Sequence, residues 1–399
     1  MSIPLRSGPP GAGPALFNLG FRPFFLGAGL FAALAMGLWS GVYLGGWQLA
    51  LAQMTPITWH AHEMLYGYTM AVIAGFLLTA VRNWTDRDTA SGARLALLVA
   101  LWAAARVLAL FDGAGASRMM ALADLGFQLA LTVELARPLI QARQWRQMGI
   151  LAKVVLLTVT NALFYLDLLG YLPHGIFWGL YGGLYLIIGL ILTMGRRVIP
   201  FFTERGVDYP VALINRRWLD VAALVLFLLF FVFDLFTPYR GVAALCALAL
   251  FGLHSARLWG WYTPGIWRKP LLWSLFLAYG FIVAAFPLYA LSVVTRVSPT
   301  LAVHAFAAGG IGLITLGMMA RVALGHTGRD VQNPPPVVWW PLVLLTVSAL
   351  LRVFAPLLVP GLHNAWIVIS QFFWIAAFAL FVAHYWPILG RPRVDGRPG

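Results

Sequence analysis

The chain has 399 residues, of which 61% are hydrophobic and 10% are charged, and its mean hydropathy is +0.84. A soluble domain is about one-quarter charged, so this composition excludes a soluble globular protein and indicates a polytopic membrane protein. The formal net charge of +14 is then explained by basic cytoplasmic loops, and no nucleic-acid partner is predicted.

The single cysteine limits the possible metal ligands, and the N-terminal stretch bears on whether a signal peptide is predicted. Cys246 is the single cysteine, which excludes disulfides and thiolate clusters. Any metal site must therefore use histidine, carboxylate, methionine or backbone ligands. Met1–Ala15 has no separate short apolar core, so no cleavable signal peptide is predicted.

Twelve apolar segments are long enough to cross a bilayer core about 30 Å thick. Their connections are short, which predicts a single transmembrane domain, 1–399, with tails at 1–19 and 390–399. The predicted fold class is an all-α polytopic membrane helix bundle of twelve transmembrane helices. The segments are 20–44, 60–81, 93–111, 117–140, 148–170, 174–197, 217–235, 240–262, 270–294, 299–325, 337–358 and 363–389.

The distribution of basic residues predicts the orientation. With the N-terminus inside, 22 of the 27 lysines and arginines lie at inner loops or inner segment ends and 5 lie on the outer side. This asymmetry follows the positive-inside rule and predicts that both termini are cytoplasmic. The five outer residues are Arg106, Arg118, Arg240, Arg296 and Arg352.

The second segment opens on a histidine pair beside a carboxylate, in Trp59-His60-Ala61-His62-Glu63-Met64. Side chains two residues apart point away from each other within a helix. If His60 lies in a non-helical entry, it can turn back toward His62, and the two form a metal pair with Glu63 as an acid–base group. The alternative is two interfacial histidines that face lipid headgroups.

The tenth segment, Leu301–Arg329, has a histidine near each end. His304 and His326 are 22 residues apart, or about 33 Å along a continuous helix, close to the thickness of the bilayer core. Arg321 lies about one turn from His326, and ionisable groups this close to lipid are expected to be functional. Four glycines allow close approach of another backbone or of a flat ligand; they are Gly309, Gly310, Gly312 and Gly317.

Two further pairs of polar residues lie within the spans. His254 and Arg257 share one face of the eighth segment, as expected for a haem whose iron takes the imidazole and whose propionate takes the guanidinium. The alternative for His254 is a bond to a helix carbonyl. Arg106 and Asp124 are predicted to pair across neighbouring spans, because pairing is the least costly way to keep charges in lipid.

Five motifs together resemble the NnrS family. The resemblance implies a twelve-span bacterial inner-membrane protein that contains haem and copper and belongs to the nitric oxide response. The motif histidines are then His60, His62, His304 and His326, with His254 and Arg257 as the matching His-x-x-Arg. The motifs are Phe21-Arg22-Pro23-Phe24-Phe25, Trp59–Met64, Gly75–Val81 with Asn83-Trp84-Thr85, Gly195–Pro200 and Met318–Arg329.

The resemblance and the histidine depths lead to a two-centre prediction. An outer centre takes His60, His62 and His304, with Glu63 as the catalytic acid–base group. An inner haem takes His254 and His326, with the cofactor-binding arginines Arg257 and Arg321. The expected cofactors are haem of b type and copper, and the partners are nitric oxide, the lipid bilayer and an unidentified electron donor.

The expected activity is the binding or reduction of nitric oxide within the membrane. One alternative is a haem protein that sequesters or senses nitric oxide without catalysis. A second alternative is a transporter, for which twelve spans are common, but the absence of a detectable 6+6 repeat and the excess of histidines disfavour it.

Overall fold

A computed structural model of the protein describes residues 15–396. The signal-peptide prediction for Met1–Ala15 lies, apart from Ala15, outside the described residues. So do two of the arginines in the charge count, Arg6 and Arg397.

The described part of the chain is all-helical, without a strand, and the twelve predicted spans are confirmed as twelve long helices. Eleven meet the length and hydropathy of a membrane span; α3, with 17 residues, is about 26 Å long at 1.5 Å per residue. The helices are α1 (Phe21–Gly45), α2 (Pro56–Thr85), α3 (Gly92–Leu108), α4 (Ala114–Gln141), α5 (Trp145–Leu168), α6 (Gly175–Gly206), α7 (Arg217–Phe236), α8 (Arg240–Gly260), α9 (Pro270–Val294), α10 (Pro299–His326), α11 (Pro336–Leu358) and α12 (Pro360–Gly390).

The observed start of α2, the helix that carries His60 and His62, differs from the start predicted from the sequence. This helix begins at Pro56, four residues before the predicted start at residue 60. Proline fits the first turn because its missing N–H would have no helical partner, and the Thr55 side chain accepts a hydrogen bond of 3.2 Å from the Thr58 amide. The expectation that His60 lies in a non-helical entry is therefore wrong, since His60 and His62 both lie inside the helix.

The two ends of the bundle meet on one side of the molecule. Arg22 Nη1 donates hydrogen bonds of 2.7 Å to the carbonyls of Leu389 and Arg391. This contact agrees with an even number of spans, because only an even number returns the chain to its starting face. That this face is cytoplasmic stays a prediction from the charge distribution.

The centre of the bundle consists of α2, α9 and α10. Their most apolar windows are 83%, 72% and 72% buried, whereas that of α7 at the periphery is 28% buried. Gly309 and Gly310 of α10 are closely approached, by side chains of α9 rather than by another backbone. A Cβ on Gly309 would lie 2.3 Å from the Phe281 ring, and one on Gly310 would lie 2.6 Å from Ile282 of α9.

Two of these central helices contain a π-helical stretch directly after a candidate histidine. In α2 it is Glu63–Thr69, after His62, and in α10 it is Ala305–Gly312, after His304. Such stretches are rare and occur frequently at functional sites. The glycines do not break α10, which runs unbroken to His326, so His304 and His326 lie at its opposite ends.

Candidate functional site

A fully buried ion cluster joins α2, α3 and α4. Arg106 Nη2 lies 2.7 Å from Asp124 Oδ1, and Arg106 Nη1 lies 3.1 Å from Glu63 Oε2. The predicted Arg106–Asp124 pair is thus confirmed, and Glu63 is a third member. The two carboxylates are 0% exposed, so each charge depends on the others for the stabilisation that water would otherwise give.

His62 belongs to this ion cluster through both ring nitrogens. Nε2 lies 3.0 Å from Asn161 Oδ1, and Nδ1 lies 3.0 Å from Glu63 Oε1. Asn161 donates its amide hydrogen to Asp124 Oδ2 at 2.9 Å, which directs Oδ1 toward His62 and makes Nε2 a donor. Tyr165 donates a further hydrogen bond of 2.9 Å to Asp124.

Gly67, within the π-helical stretch of α2, makes room for the cluster. A Cβ at this position would lie 2.7 Å from Arg106 Nη1, 2.6 Å from the Phe31 ring and 3.0 Å from Glu63 Oε2. Any larger residue would therefore displace the arginine from the carboxylates. The close approach explains why a glycine occupies this turn.

His60 lies in a second cluster, with His304 of α10 and Arg352 of α11. The His60 ring stacks on Trp39, with centroids 4.6 Å apart and planes inclined by 18°. His304 Nδ1 donates a hydrogen bond of 2.7 Å to the Thr300 carbonyl. The three side chains lie near enough for the charge of each to affect the others, although no hydrogen bond or ring contact joins them among the described residues.

Three nitrogens in the second cluster have unused bonding capacity. His60 Nδ1 and Arg352 Nη1 are buried and have no hydrogen-bond partner among the described residues. Because Nδ1 of His304 carries the hydrogen that Thr300 accepts, its Nε2 has a free lone pair. Two imidazoles and a guanidinium of this kind suit a metal or haem with an anionic group beside it.

The predicted outer histidines are therefore divided between two environments. His60 and His304 are brought together, whereas His62 is bonded into the ion cluster with Glu63. Two residues along a helix turn the side chain by about 200°, and both histidines are helical, so they face different neighbours. Among residues 15–396, no three His, Cys, Asp or Glu side chains form a metal-binding group.

His254 of α8 forms a third cluster with α7 and α9. Its Nδ1 lies 2.6 Å from the Tyr279 hydroxyl, and its Nε2 is buried without a hydrogen-bond partner among the described residues. Arg257 contacts the same hydroxyl at 3.1 Å and Asp220 at 2.7 Å. The Asp220 carboxylate also binds Arg196 at 2.6 Å, so it lies between two guanidinium groups.

His326 and Arg321 lie in other surroundings at the opposite end of α10 from His304. The His326 ring is 5.6 Å from the Phe21 ring, and its carbonyl accepts a hydrogen bond of 2.8 Å from Arg393. The Arg321 guanidinium lies 3.9 Å from the Phe202 ring centroid, a cation–π contact. The described residues include no contact between His254 and His326, which pack against different helices.

Sequence reasoning missed two of the residues that complete these clusters, Arg352 and Tyr279. Arg352 carried a usable signal, because it is one of the five basic residues that the charge distribution predicts on the outer side. Two others of that minority also lie beside polar groups: Arg106 in the ion cluster, and Arg240 near Tyr289 at the start of α8. Tyr279 carried no comparable signal among the many aromatic residues.

The fold and these clusters define a multi-pass helical membrane protein with histidines and ion pairs inside its bundle. A family model for the NnrS protein matches residues 15–393, nearly the whole described chain, and the protein belongs to the NnrS family. This confirms the resemblance, and membership suggests a role in the nitric oxide response. No curated protein matches the chain significantly.

Proposed function

We propose that this protein binds haem in the bacterial inner membrane and reduces nitric oxide there, with copper as a second metal. Family membership supports the nitric oxide part of the proposal. The observation that carries the cofactor part is the proximity of His60 and His304. His60 Nδ1 is buried without a hydrogen-bond partner among the described residues, and the bond from His304 Nδ1 to Thr300 leaves the Nε2 lone pair free. Haem iron and copper both bind neutral imidazole nitrogen.

His60 and His304 are the proposed ligands of the haem, and Arg352 is the proposed partner of a haem propionate. The hydrogen bond from His304 Nδ1 to Thr300 fixes the tautomer that leaves Nε2 for a metal. Bound haem would supply an iron that exchanges electrons, and this iron would take nitric oxide in exchange for one of the two imidazoles. The buried Arg352 Nη1 provides the charge that a propionate requires.

His254 and His326 are proposed as separate ligands on the inner side, for a second haem or for copper. Arg257 Nη1 donates to the Tyr279 hydroxyl at 3.1 Å and toward His254 Nδ1 at 3.3 Å, so Nδ1 accepts and Nε2 carries the hydrogen in this structure. To bind a metal through Nε2, the imidazole would take the other tautomer, with Nδ1 donating to Tyr279. Arg257 and Arg321 remain the proposed cofactor-binding arginines. In this structure Arg257 bonds to Tyr279 and Asp220, and these contacts also help to orient His254.

Glu63 is the proposed acid–base group for the reduction. Because Asn161 makes His62 Nε2 a donor, one proton is shared between His62 Nδ1 and Glu63 Oε1 across 3.0 Å. Asn161 and Tyr165 both donate to Asp124 and hold His62 in the orientation that places its Nδ1 against Glu63. Reduction of nitric oxide consumes protons, so a buried shared proton near the outer end of α2 suits this chemistry.

An apolar cavity supports access for a small neutral gas. Its volume is about 90 Å³, and it lies between α1, α2, α6, α9 and α10. Phe25, Val72, Ile314 and Met318 are among its lining residues. Nitric oxide partitions into lipid, so it can reach a bundle-centred cavity laterally, whereas ions are excluded from apolar surroundings.

Nitric oxide consumption by the purified full-length protein tests this function. With a chemical reductant and under anaerobic conditions, we expect nitric oxide to be consumed over many turnovers and nitrous oxide to form. Stoichiometric uptake without nitrous oxide would replace the reductase by a nitric oxide-sequestering protein. A preparation with no haem absorption and no effect of nitric oxide on its spectrum would overturn the proposal. The variant His363→Ala, which changes an exposed histidine, should consume nitric oxide as the unmodified protein does and serves as the control.

A further inference from the structure

A second cavity, of about 340 Å³, opens between the predicted outer ends of α6, α7, α8, α9 and α10. It is distinct from the histidine clusters, and its walls are largely aromatic and aliphatic. Its volume falls in the range of small-molecule sites. Its lining includes Tyr181, Tyr185, Asp234, Arg240, Tyr289 and Phe306.

One carboxylate is the polar centre of this cavity. Tyr185 donates a hydrogen bond of 2.6 Å to Asp234 Oδ2, and Tyr289 donates a short one to Oδ1. The two tyrosines fix the carboxylate while leaving lone pairs on both oxygens. Arg240, exposed at the start of α8, lines the same cavity as Tyr289 and Tyr181. The cavity therefore combines one negative and one positive group and favours a neutral ligand.

The walls offer stacking surfaces for a planar ring. Phe177 and Tyr181 have centroids 4.9 Å apart, and Phe306 lies 6.4 Å from Tyr185. Aromatic pairs at such distances gain energy beyond their buried area. A ligand ring in the cavity can therefore pack against aromatic side chains of the same wall that carries Asp234.

A continuous series of rings leads from this cavity to His254. Tyr289 is 4.9 Å from Phe230, Phe230 is 6.0 Å from Phe286, and Phe286 is 5.7 Å from His254, with the last two planes inclined by 6°. A second branch joins Phe306 to Phe286 at 5.2 Å. The series ends at the imidazole whose Nε2 has no protein partner.

We infer that this cavity binds the headgroup of a membrane hydroquinone, and that this ligand is the electron donor of the protein. A hydroquinone is neutral, planar and lipid-soluble, with a hydroxyl donor for Asp234 and a second ring oxygen that can accept from Arg240. A permanent organic cation fits less well, because Arg240 lies at the mouth. The electron-donor role rests on the proposed function; the binding site does not.

The two half-reactions balance. Oxidation of a hydroquinone to a quinone breaks two O–H bonds and releases two electrons and two protons. Asp234 takes the first proton, passes it to water at the open side of the cavity, and then takes the second. Conversion of two molecules of nitric oxide to nitrous oxide and water takes up two electrons and two protons. One hydroquinone therefore supplies one turnover, without a further co-reactant.

Anaerobic binding of a decyl-tailed benzohydroquinone to the full-length protein in lipid nanodiscs tests the site. We expect saturable binding that Asp234→Asn weakens about tenfold or more, because a charged acceptor is replaced by a neutral one. Asp234→Asn should weaken the binding of the oxidised quinone much less, since the quinone has no hydroxyl to donate. Arg240→Gln changes only an exposed side chain and should weaken the binding of both the hydroquinone and the quinone.

The matched controls are Asp112→Asn and Tyr171→Phe, at exposed positions outside the cavity, and both should bind as the unmodified chain does. Equal binding by Asp234→Asn, Arg240→Gln and the unmodified chain would overturn the assignment, as would a tetraalkylammonium ion that binds in place of the hydroquinone. A haem-loaded protein that consumes nitric oxide but binds no hydroquinone would refute this inference alone. Hydroquinone binding by a preparation without haem or nitric oxide consumption would support the site and refute the proposed function.

Discussion

Arg106 is the residue on which the buried charges of α2 and α4 depend. We expect Arg106→Met to destabilise the protein by about 3–5 kcal/mol, because Glu63 and Asp124 would be left buried without their cation. The measurement is the free energy of unfolding in detergent. Arg94→Met is the matched control, since Arg94 pairs with Glu134 at a half-exposed position and should cost less than about 1 kcal/mol. Equal effects of the two variants would contradict a special role for the buried cluster.

Tyr279 is predicted to control the bonding of His254 without being a metal ligand. Tyr279→Phe removes the hydroxyl that contacts both His254 and Arg257. We expect a cofactor held by His254 to remain bound about 10- to 100-fold more weakly or with a shifted reduction potential. Redox titration followed in the visible spectrum measures this, with Tyr262→Phe on the partly exposed surface as the control. An unchanged potential and affinity would remove His254 from the proposed haem or copper ligands.

The limits of sequence reasoning are clearest at single residues. Arg106 and Asp124 were predictable partners, because opposite charges in adjacent spans have few other ways to be stabilised. The opposite environments of His60 and His62 depend on where α2 begins and on the π-helical turn after His62, neither of which hydropathy encodes. Arg352 joins His60 and His304 from a helix remote in sequence, so only the packed bundle brings the three together.

At the scale of elements, the π-helical stretch of α2 is expected to be intolerant of added volume. Gly67→Ala would place a methyl group within 2.7 Å of Arg106 Nη1 and against Phe31. We expect a loss of about 2–4 kcal/mol through overpacking and displacement of the ion pair. Thermal unfolding measures this loss. Gly37→Ala in α1 meets nothing within 4 Å and should be neutral or slightly stabilising. A neutral Gly67→Ala would refute the stated role of the glycine.

The continuity of α10 makes a second element-scale prediction. His304 and His326 lie near its two ends, about 33 Å apart at 1.5 Å per residue, so one metal or porphyrin cannot take both. His304→Ala and His326→Ala should therefore alter different spectral species. If both variants delete the same species and leave all others intact, the two-centre arrangement is wrong.

The helix bounds themselves were largely predictable. Long apolar segments separated by polar turns give a strong signal, and most predicted ends agree within a few residues. The exceptions follow local chemistry: Pro56 and Thr55 start α2 early, and α6 continues past Pro200 to Gly206. A proline within a membrane helix is tolerated because neighbouring groups can satisfy the freed carbonyl.

At the scale of the whole molecule, both described ends lie on one face, and the charge distribution predicts that this face is cytoplasmic. Reporter fusions after Gln48 and after Tyr239 should then report the outer side, and a fusion after Asp395 should report the cytoplasm. Reversal of all three reports would invert the orientation. A reversal of only the later two would mean that one of the long helices does not cross the membrane.

The bundle as a whole places three polar clusters inside an apolar shell, and the pairing of His60 with His304 is central to the proposed chemistry. The visible absorption spectrum of the purified full-length protein tests this most directly, compared with His60→Ala, His304→Ala and the exposed control His363→Ala. We predict a Soret band in the unmodified protein, the same altered or lost species in the first two variants, and no change in the control. A protein without a Soret band, or His60→Ala and His304→Ala variants with unaltered spectra, would contradict the account.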